Sequence, residues 1–219
     1  MKLLVVSTWF PHPPDNGSRE RAYEFLRHVT RRHRVTLLTF GDAGADSAGT
    51  VLREMCAEIV IVPRVVPMGA RLGLRGLLSP VPRYFVQAHS ARMQALVDDR
   101  LACHEAAVAL QIDAAVYLAS GRSVPRVFEE VELGAYRAVR DEAATPWRRL
   151  RSALTTRKAE RFVSGLTAAF DRSTVVSAIE RDHLVAIGAD PQRITVVPNG
   201  TRIGPLPSVP ARRRGQIIY

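Results

Sequence analysis

The run from Leu3 to Arg27 constrains this chain most. Leu3-Leu4-Val5-Val6 is a short apolar stretch of the kind that lies inside a parallel sheet. Pro11-His12-Pro13-Pro14-Asp15-Asn16-Gly17-Ser18 follows, and no helix or strand runs through three prolines and a glycine set so closely. Ala22, Phe25, Leu26 and Val29 then recur at helical spacing. Strand, polar loop and helix start make half of a βαβ unit.

A helix start leaves backbone N–H groups unpaired, and the helix dipole adds partial positive charge there. Both attract an anion. Gly17 has no Cβ and lets a ligand approach the backbone, while Arg19 and Arg21 add charge nearby. Two readings stand side by side. One is a seat for phosphate or carboxylate. The other is an ordinary capped loop with Asp15, Asn16 or Ser18 as the N-cap.

The remaining pattern predicts strands at 35–40 and 59–62 around a helix at 47–57. A long helix is expected over 88–110, then a fourth strand over 112–118 with Ser120 and Gly121 at its C-terminal exit. A short helix near 123–131 leads to a fifth strand at 135–139, which ends in Arg140-Asp141-Glu142. A basic helix over 147–169, a strand at 173–177, a helix at 180–187 ending at Gly188, and a strand at 194–197 complete the series. Pro198-Asn199-Gly200 then turns the chain. This alternation predicts an α/β fold with a doubly wound, mostly parallel sheet and helices on both faces. Open sheets of that kind bind ligands beyond their C-terminal edge, where Gly17, Ser120 and Asp141 are expected together.

With 47% hydrophobic residues the chain can pack a core. Its 31 basic and 21 acidic residues leave a charge of +10, which attracts polyanions. Few aromatics interleave with the arginines and no nucleic-acid motif is present, so a basic nucleic-acid binder rests on charge alone. No apolar run is long enough to span a bilayer, and the first one stops at Ser7, too short for a signal peptide. The expectation is a cytoplasmic protein. Residues 64–85 mix Arg64, Arg71, Arg75 and Arg83 with apolar side chains, and the 147–169 helix is strongly basic. Residues 64–85 read either as a peripheral contact with anionic membrane or as an arm folded on its own domain, and the 147–169 helix either as a basic face turned to solvent or as a second membrane contact. Cys56 and Cys103 lack metal-ligand spacing and read as buried free thiols. There is no G-x-G-x-x-G after the first strand, no P-loop lysine, no G-x-S-x-G and no zinc-spaced His/Cys cluster.

The segment 204–210 and the arginines after it have linker composition, and Gln216-Ile217-Ile218-Tyr219 reads as a strand beginning. The expected organisation is a domain over 1–203, an interdomain linker over 204–215, and the start of a second, donor-binding domain at 216–219.

The opening LLVVSTWFPHPPDNGSRERAYEFLRHV, with HRVTLLTF after it, resembles the start of a GT-B glycosyltransferase of the large retaining family 4. FDRSTVVSAIERDHL followed by ITVVPNG is similar to that family's exit from its N-terminal domain, and LLSPVPRYF resembles a stretch recurring in bacterial members. The resemblance implies a two-domain enzyme with its active site in the cleft, the first domain holding the acceptor and the second most of the nucleotide-sugar. Gly17 matches the loop glycine near the donor phosphates, flanked by Asn16 and Ser18. Asn199 and Gly200 match the Asn-Gly pair lining the cleft. Arg140-Asp141 fall where many members carry His-Asp or His-Asn near the transferred sugar, so arginine stands for histidine. Thr201-Arg202 stand where an aspartate usually follows Asn-Gly.

The implied activity is transfer from a nucleotide-diphosphate sugar, without a metal, to a glycan, lipid-linked or small-molecule acceptor. Arg140 and Asp141 are the expected catalytic residues. Asn16, Gly17, Ser18, Arg21, Ser120, Asn199 and Gly200 are the expected substrate-binding ones. Partners are a sugar donor and an acceptor, at the inner membrane face, and no nucleic acid. This chain alone is expected not to turn over. The alternative is a degenerate, non-catalytic binding module, motivated by Arg140 and Arg202.

Overall fold

A computed structural model describes residues 1–41, 50–64, 81–82, 89–120, 123–131 and 145–200. Seven strands form one sheet: β1 (Lys2–Ser7), β2 (Arg34–Gly41), β3 (Glu58–Pro63), β4 (Ala106–Leu110), β5 (Arg126–Glu129), β6 (Arg172–Val175) and β7 (Ile194–Val196). The helices are α1 (Gly17–Val29), α2 (Thr50–Met55), α3 (Ala91–Leu101), α4 (Gln111–Leu118), α5 (Pro146–Ala169) and α6 (Ala178–Ala186), with a 3-10 turn at Pro191–Arg193. The strand order is β3-β2-β1-β4-β5-β6-β7, and every pairing is parallel. The order reverses between β1 and β4, which opens a crevice at their carboxyl ends.

Burial follows the pleat. Leu4 and Val6 join one core with Leu38, Met93, Leu118, Phe128 and Phe170. Leu3 and Val5 point the other way, onto Leu26, Leu37 and Leu52. Both faces of β1 are therefore covered, and the doubly wound sheet read from the sequence is the one observed.

Three middle elements differ from expectation. Residues 112–118 form helix α4, not a strand, and the fourth strand is Ala106–Leu110, placed above inside a long helix. Ile112, Ala114, Ala115, Tyr117 and Leu118 are all buried, so the helix has no polar face to betray its period. The strand AAVAL is rich in alanine, the best helix former. It lies in mid-sheet, between β1 and β5, where burial overrides propensity. Residues 126–129 form β5 rather than a helix. Cys56 is buried as expected, but Cys103 is exposed, because α3 ends at Leu101 and leaves it in a turn.

Elsewhere the expected elements recur within a few residues, including the basic helix, now Pro146–Ala169. Gly188 takes φ +100° just past α6, as a terminating glycine does. The expected strand at 135–139, most of 64–85 and all of 201–219 lie outside the described residues. Among the described residues no helix is long and apolar enough to cross a membrane.

Candidate functional site

The loop leaving β1 ends at Asn16, whose side-chain oxygen accepts the Arg19 backbone N–H at 3.0 Å. Asn16 is thus the N-cap, and α1 begins at Gly17. Capping satisfies one of the four free N–H groups of the first turn and leaves others facing outward. A Cβ built on Gly17 would meet nothing within 4 Å, so open space borders this backbone.

Arg19 and Arg21 do not add free charge to that space, contrary to the sequence reading. Arg19 Nη1 donates to both Asp15 carboxylate oxygens, at 2.9 and 2.8 Å. Arg21 reaches across the crevice. Its Nε donates to Glu129 Oε1 at 2.9 Å, Nη2 lies 2.7 Å from the same oxygen, and Nη1 donates to Asn199 Oδ1 at 2.7 Å. The Arg21 and Glu129 side chains are only 11% and 10% exposed. Thr174 Oγ1 donates to the second Glu129 oxygen. One guanidinium therefore ties α1 to the end of β5 and to the turn after β7, and Glu129 carries the link on to β6 through Thr174. Such a pair is held by geometry and hydrogen bonds as much as by charge.

Beside this bracket lies a cavity of about 530 Å³, lined by Gly17, Arg21, Glu129, Val197, Asn199 and Gly200 among others. The structure thus brings Gly17, Arg21, Asn199 and Gly200 together, with Asn16 and Ser18 at the loop end. Ser120 is not among them. It follows α4, and Arg126 donates to the Leu118 and Ala119 carbonyls just before it, which sets Ser120 over the start of β5. That is the opposite edge of the sheet. The reason is the helix: α4 carries the chain back across the sheet, where a strand would have delivered Ser120 to the C-terminal edge. Arg140 and Asp141 lie outside the described residues.

The C-terminal edge also holds groups that the sequence reading missed. Gln111 and Glu130 have φ of 72° and 61°, a left-handed conformation uncommon for residues with a side chain. They follow neighbouring strands, β4 and β5. Gln111 Nε2 donates to Glu130 Oε2 at 3.1 Å, and the Glu130 backbone N–H donates to Thr174 Oγ1 at 3.0 Å. Backbone strain of this kind collects at functional sites. The signal for Glu129 and Glu130 was two carboxylates directly after the apolar run Val127-Phe128, visible once that run is read as a strand. Nothing in the sequence marks the φ of Gln111.

Perturbed groups lie elsewhere. Burial pushes the Cys56 thiol up to about 11 and raises the Tyr117 phenol as well. Among the described residues no group of three His, Cys, Asp or Glu side chains could hold a metal.

Among solved structures the chain is similar to Anabaena Alr3699/HepE in complex with UDP and glucose, at 15% identity and TM-score 0.58, over 92% of this chain and 45% of that one. It is also similar to the lipopolysaccharide outer core galactosyltransferase WaaB in its apo form, at 11% identity and TM-score 0.50, over 93% and 47%. At such identities the likeness is one of fold. The chain spans about half the length of these structures. No curated protein matches the sequence significantly. The sequence pattern of Glycosyltransferase Family 4 matches residues 15–203, which takes in the Gly17 loop, the Arg21–Glu129 bracket and the Asn199-Gly200 turn. A match over that much of its length means that this chain belongs to Glycosyltransferase Family 4.

Proposed function

We propose that the chain is the acceptor-side half of a glycosyltransferase, which moves a sugar from a nucleotide-diphosphate donor to a glycan, lipid-linked or small-molecule acceptor. A second domain would supply most of the donor site. The observation that carries this reading is the open α1 start at Gly17 bordering one cavity with Glu129 and Asn199. The charge that develops in such a transfer sits on the leaving diphosphate. Backbone N–H groups and a helix dipole aimed at it lower the barrier without a protein base or a metal. The diphosphate itself takes the acceptor proton, and the product keeps the donor's anomeric configuration. Arg140 and Asp141 would lie near the transferred sugar.

The test uses the full-length protein with UDP-glucose as the first donor probe, followed by UDP release. Gly17→Val should lower kcat/KM about 100-fold, because a side chain then enters the diphosphate seat. Residues 1–219 alone should stay at background. Ordinary turnover by 1–219, or indifference to Gly17→Val, would sink the reading. The second reading, a binding module without catalysis, is favoured by arginine standing for the family histidine at position 140. Donor binding by calorimetry without turnover would select it.

A peripheral membrane site belongs to the same proposal. Trp147, Leu150 and Leu154 share a face of α5 and are 74%, 54% and 63% exposed, with Arg149 and Arg157 exposed beside them. Apolar anchors among cations suit an anionic lipid surface, where a lipid-linked acceptor would be met. Cosedimentation with phosphatidylglycerol vesicles should be lost in Trp147→Ser/Leu154→Ser; unchanged cosedimentation would refute it.

A further inference from the structure

Across the switch point from the cavity, the same edge carries a second constellation. Trp9, in the loop after β1, is 42% exposed. The exposed Arg64 follows β3 and lays its guanidinium carbon 5.6 Å from the Trp9 ring centroid and 5.7 Å from that of Phe40, on β2. Its Nη2 donates to the Thr8 carbonyl, which fixes the plane. Arg19 also approaches the indole, at 6.0 Å, but is already paired with Asp15. Among the described residues no carboxylate pairs with Arg64. In the same loop, the buried Thr8 Oγ1 has no hydrogen-bond partner.

Stacking holds a guanidinium by its faces and leaves N–H groups on its rim for an anion. The exposed indole offers a flat apolar surface next to that rim. Together they make a two-part grip: the C–H face of a pyranose on the ring, and a negatively charged substituent on the cation. Trp9 and Gly17 stand at the two ends of one loop, so a ligand on Trp9 lies on the same edge as the proposed donor phosphates.

We propose that Trp9 and Arg64 form an acceptor subsite for a sugar carrying a negative charge, either a phosphate or a carboxylate. This rests on the glycosyltransferase reading and narrows its acceptor. The test is calorimetric titration of the 219-residue chain with glucose 1-phosphate, glucuronic acid, methyl glucoside and inorganic phosphate. At least one charged sugar should bind about tenfold more tightly than methyl glucoside and than phosphate. The tighter of the two identifies the source of charge. Arg64→Ala should erase the advantage over methyl glucoside, and Arg64→Lys should restore part of it. Trp9→Ala should erase the advantage over phosphate, and Trp9→Phe should keep part of it. Thermal melts establish that each variant is folded. Equal affinity for neutral and charged sugars, phosphate binding as tightly as glucose 1-phosphate, indifference to both substitutions, or no binding at all would overturn the proposal. The titration involves no donor and no turnover. An active full-length enzyme whose first half binds no charged sugar sinks the subsite alone. Binding here with no transfer there sinks the enzymatic reading instead.

Discussion

Two arginines sit at opposite edges of the sheet, one buried and one partly exposed, and their partners tell the edges apart. Arg126, 4% exposed, opens β5 at the N-terminal edge. It donates to the carbonyls of Leu118 and Ala169 at 2.5 Å each, at the C-terminal ends of α4 and α5, and lies 5.5 Å over the Phe170 ring. Helix ends of that polarity present unpaired carbonyls and partial negative charge, so the cation closes two helices onto the sheet. Arg21, at the C-terminal edge, instead holds Glu129 and Asn199, whose side chains border open space. A cation sealed among carbonyls has only a structural role available to it. One that braces a carboxylate and an amide at a cavity wall decides where those groups point.

The comparison predicts the largest loss for Arg126→Met. The methionine fills much of the volume but leaves the helix-end carbonyls without donors, at a cost of about 3 kcal/mol. For a domain of this size that is roughly a 10 °C fall in Tm. A loss under about 1 kcal/mol in urea denaturation would break the comparison, since the edge would then not depend on its cation. Next comes Arg21→Met, which strands Glu129 beside the cavity and should cost roughly 2 kcal/mol, less than a fully buried pair because water reaches this edge. Adding Glu129→Gln should recover about half of that loss, because no unpaired charge remains. Donor binding by the full-length protein should weaken in Arg21→Met and stay normal in Arg126→Met. If both weaken equally, the two edges do not differ in role.

The same contrast explains what was legible beforehand. The C-terminal edge announced itself through Pro13-Pro14-Asp15-Asn16-Gly17 and Pro198-Asn199-Gly200, turn chemistry that depends on local sequence alone. That Asn199 meets Arg21 was not visible, because the contact joins residues brought together only by the order of seven strands. The middle misled for a different reason. Ala106–Leu110 and Gln111–Leu118 are adjacent apolar segments, one a central strand and one a buried helix, and a fully buried segment loses the periodicity that separates the two. Exchanging them moved Ser120 to the wrong edge and hid Glu129 and Glu130 at the right one. Arg126 fell inside an expected helix, and nothing in its local sequence marks a buried cation that opens a strand.

The smallest effect concerns strain at the junction of those exchanged elements. Gln111 opens α4 with φ of 72°. In an ordinary helix alanine is more stable than glycine by as much as about 1 kcal/mol. At this position the order should invert. Alanine keeps the left-handed penalty of about 1 kcal/mol and loses the hydrogen bond to Glu130, whereas glycine loses the bond but relieves the penalty. Gln111→Gly should therefore fall within about 0.5 kcal/mol of the parent, and Gln111→Ala about 1 kcal/mol below it. Both remove the amide, so both should lower kcat/KM of the full-length protein by a similar factor despite their different stabilities. Alanine proving as stable as glycine would mean that the turn from β4 into α4 carries no strain. Unchanged turnover in both would mean that the Gln111–Glu130 contact serves the fold alone, and the contrast between a structural edge and a working edge would then rest on Arg21 and the Gly17 loop.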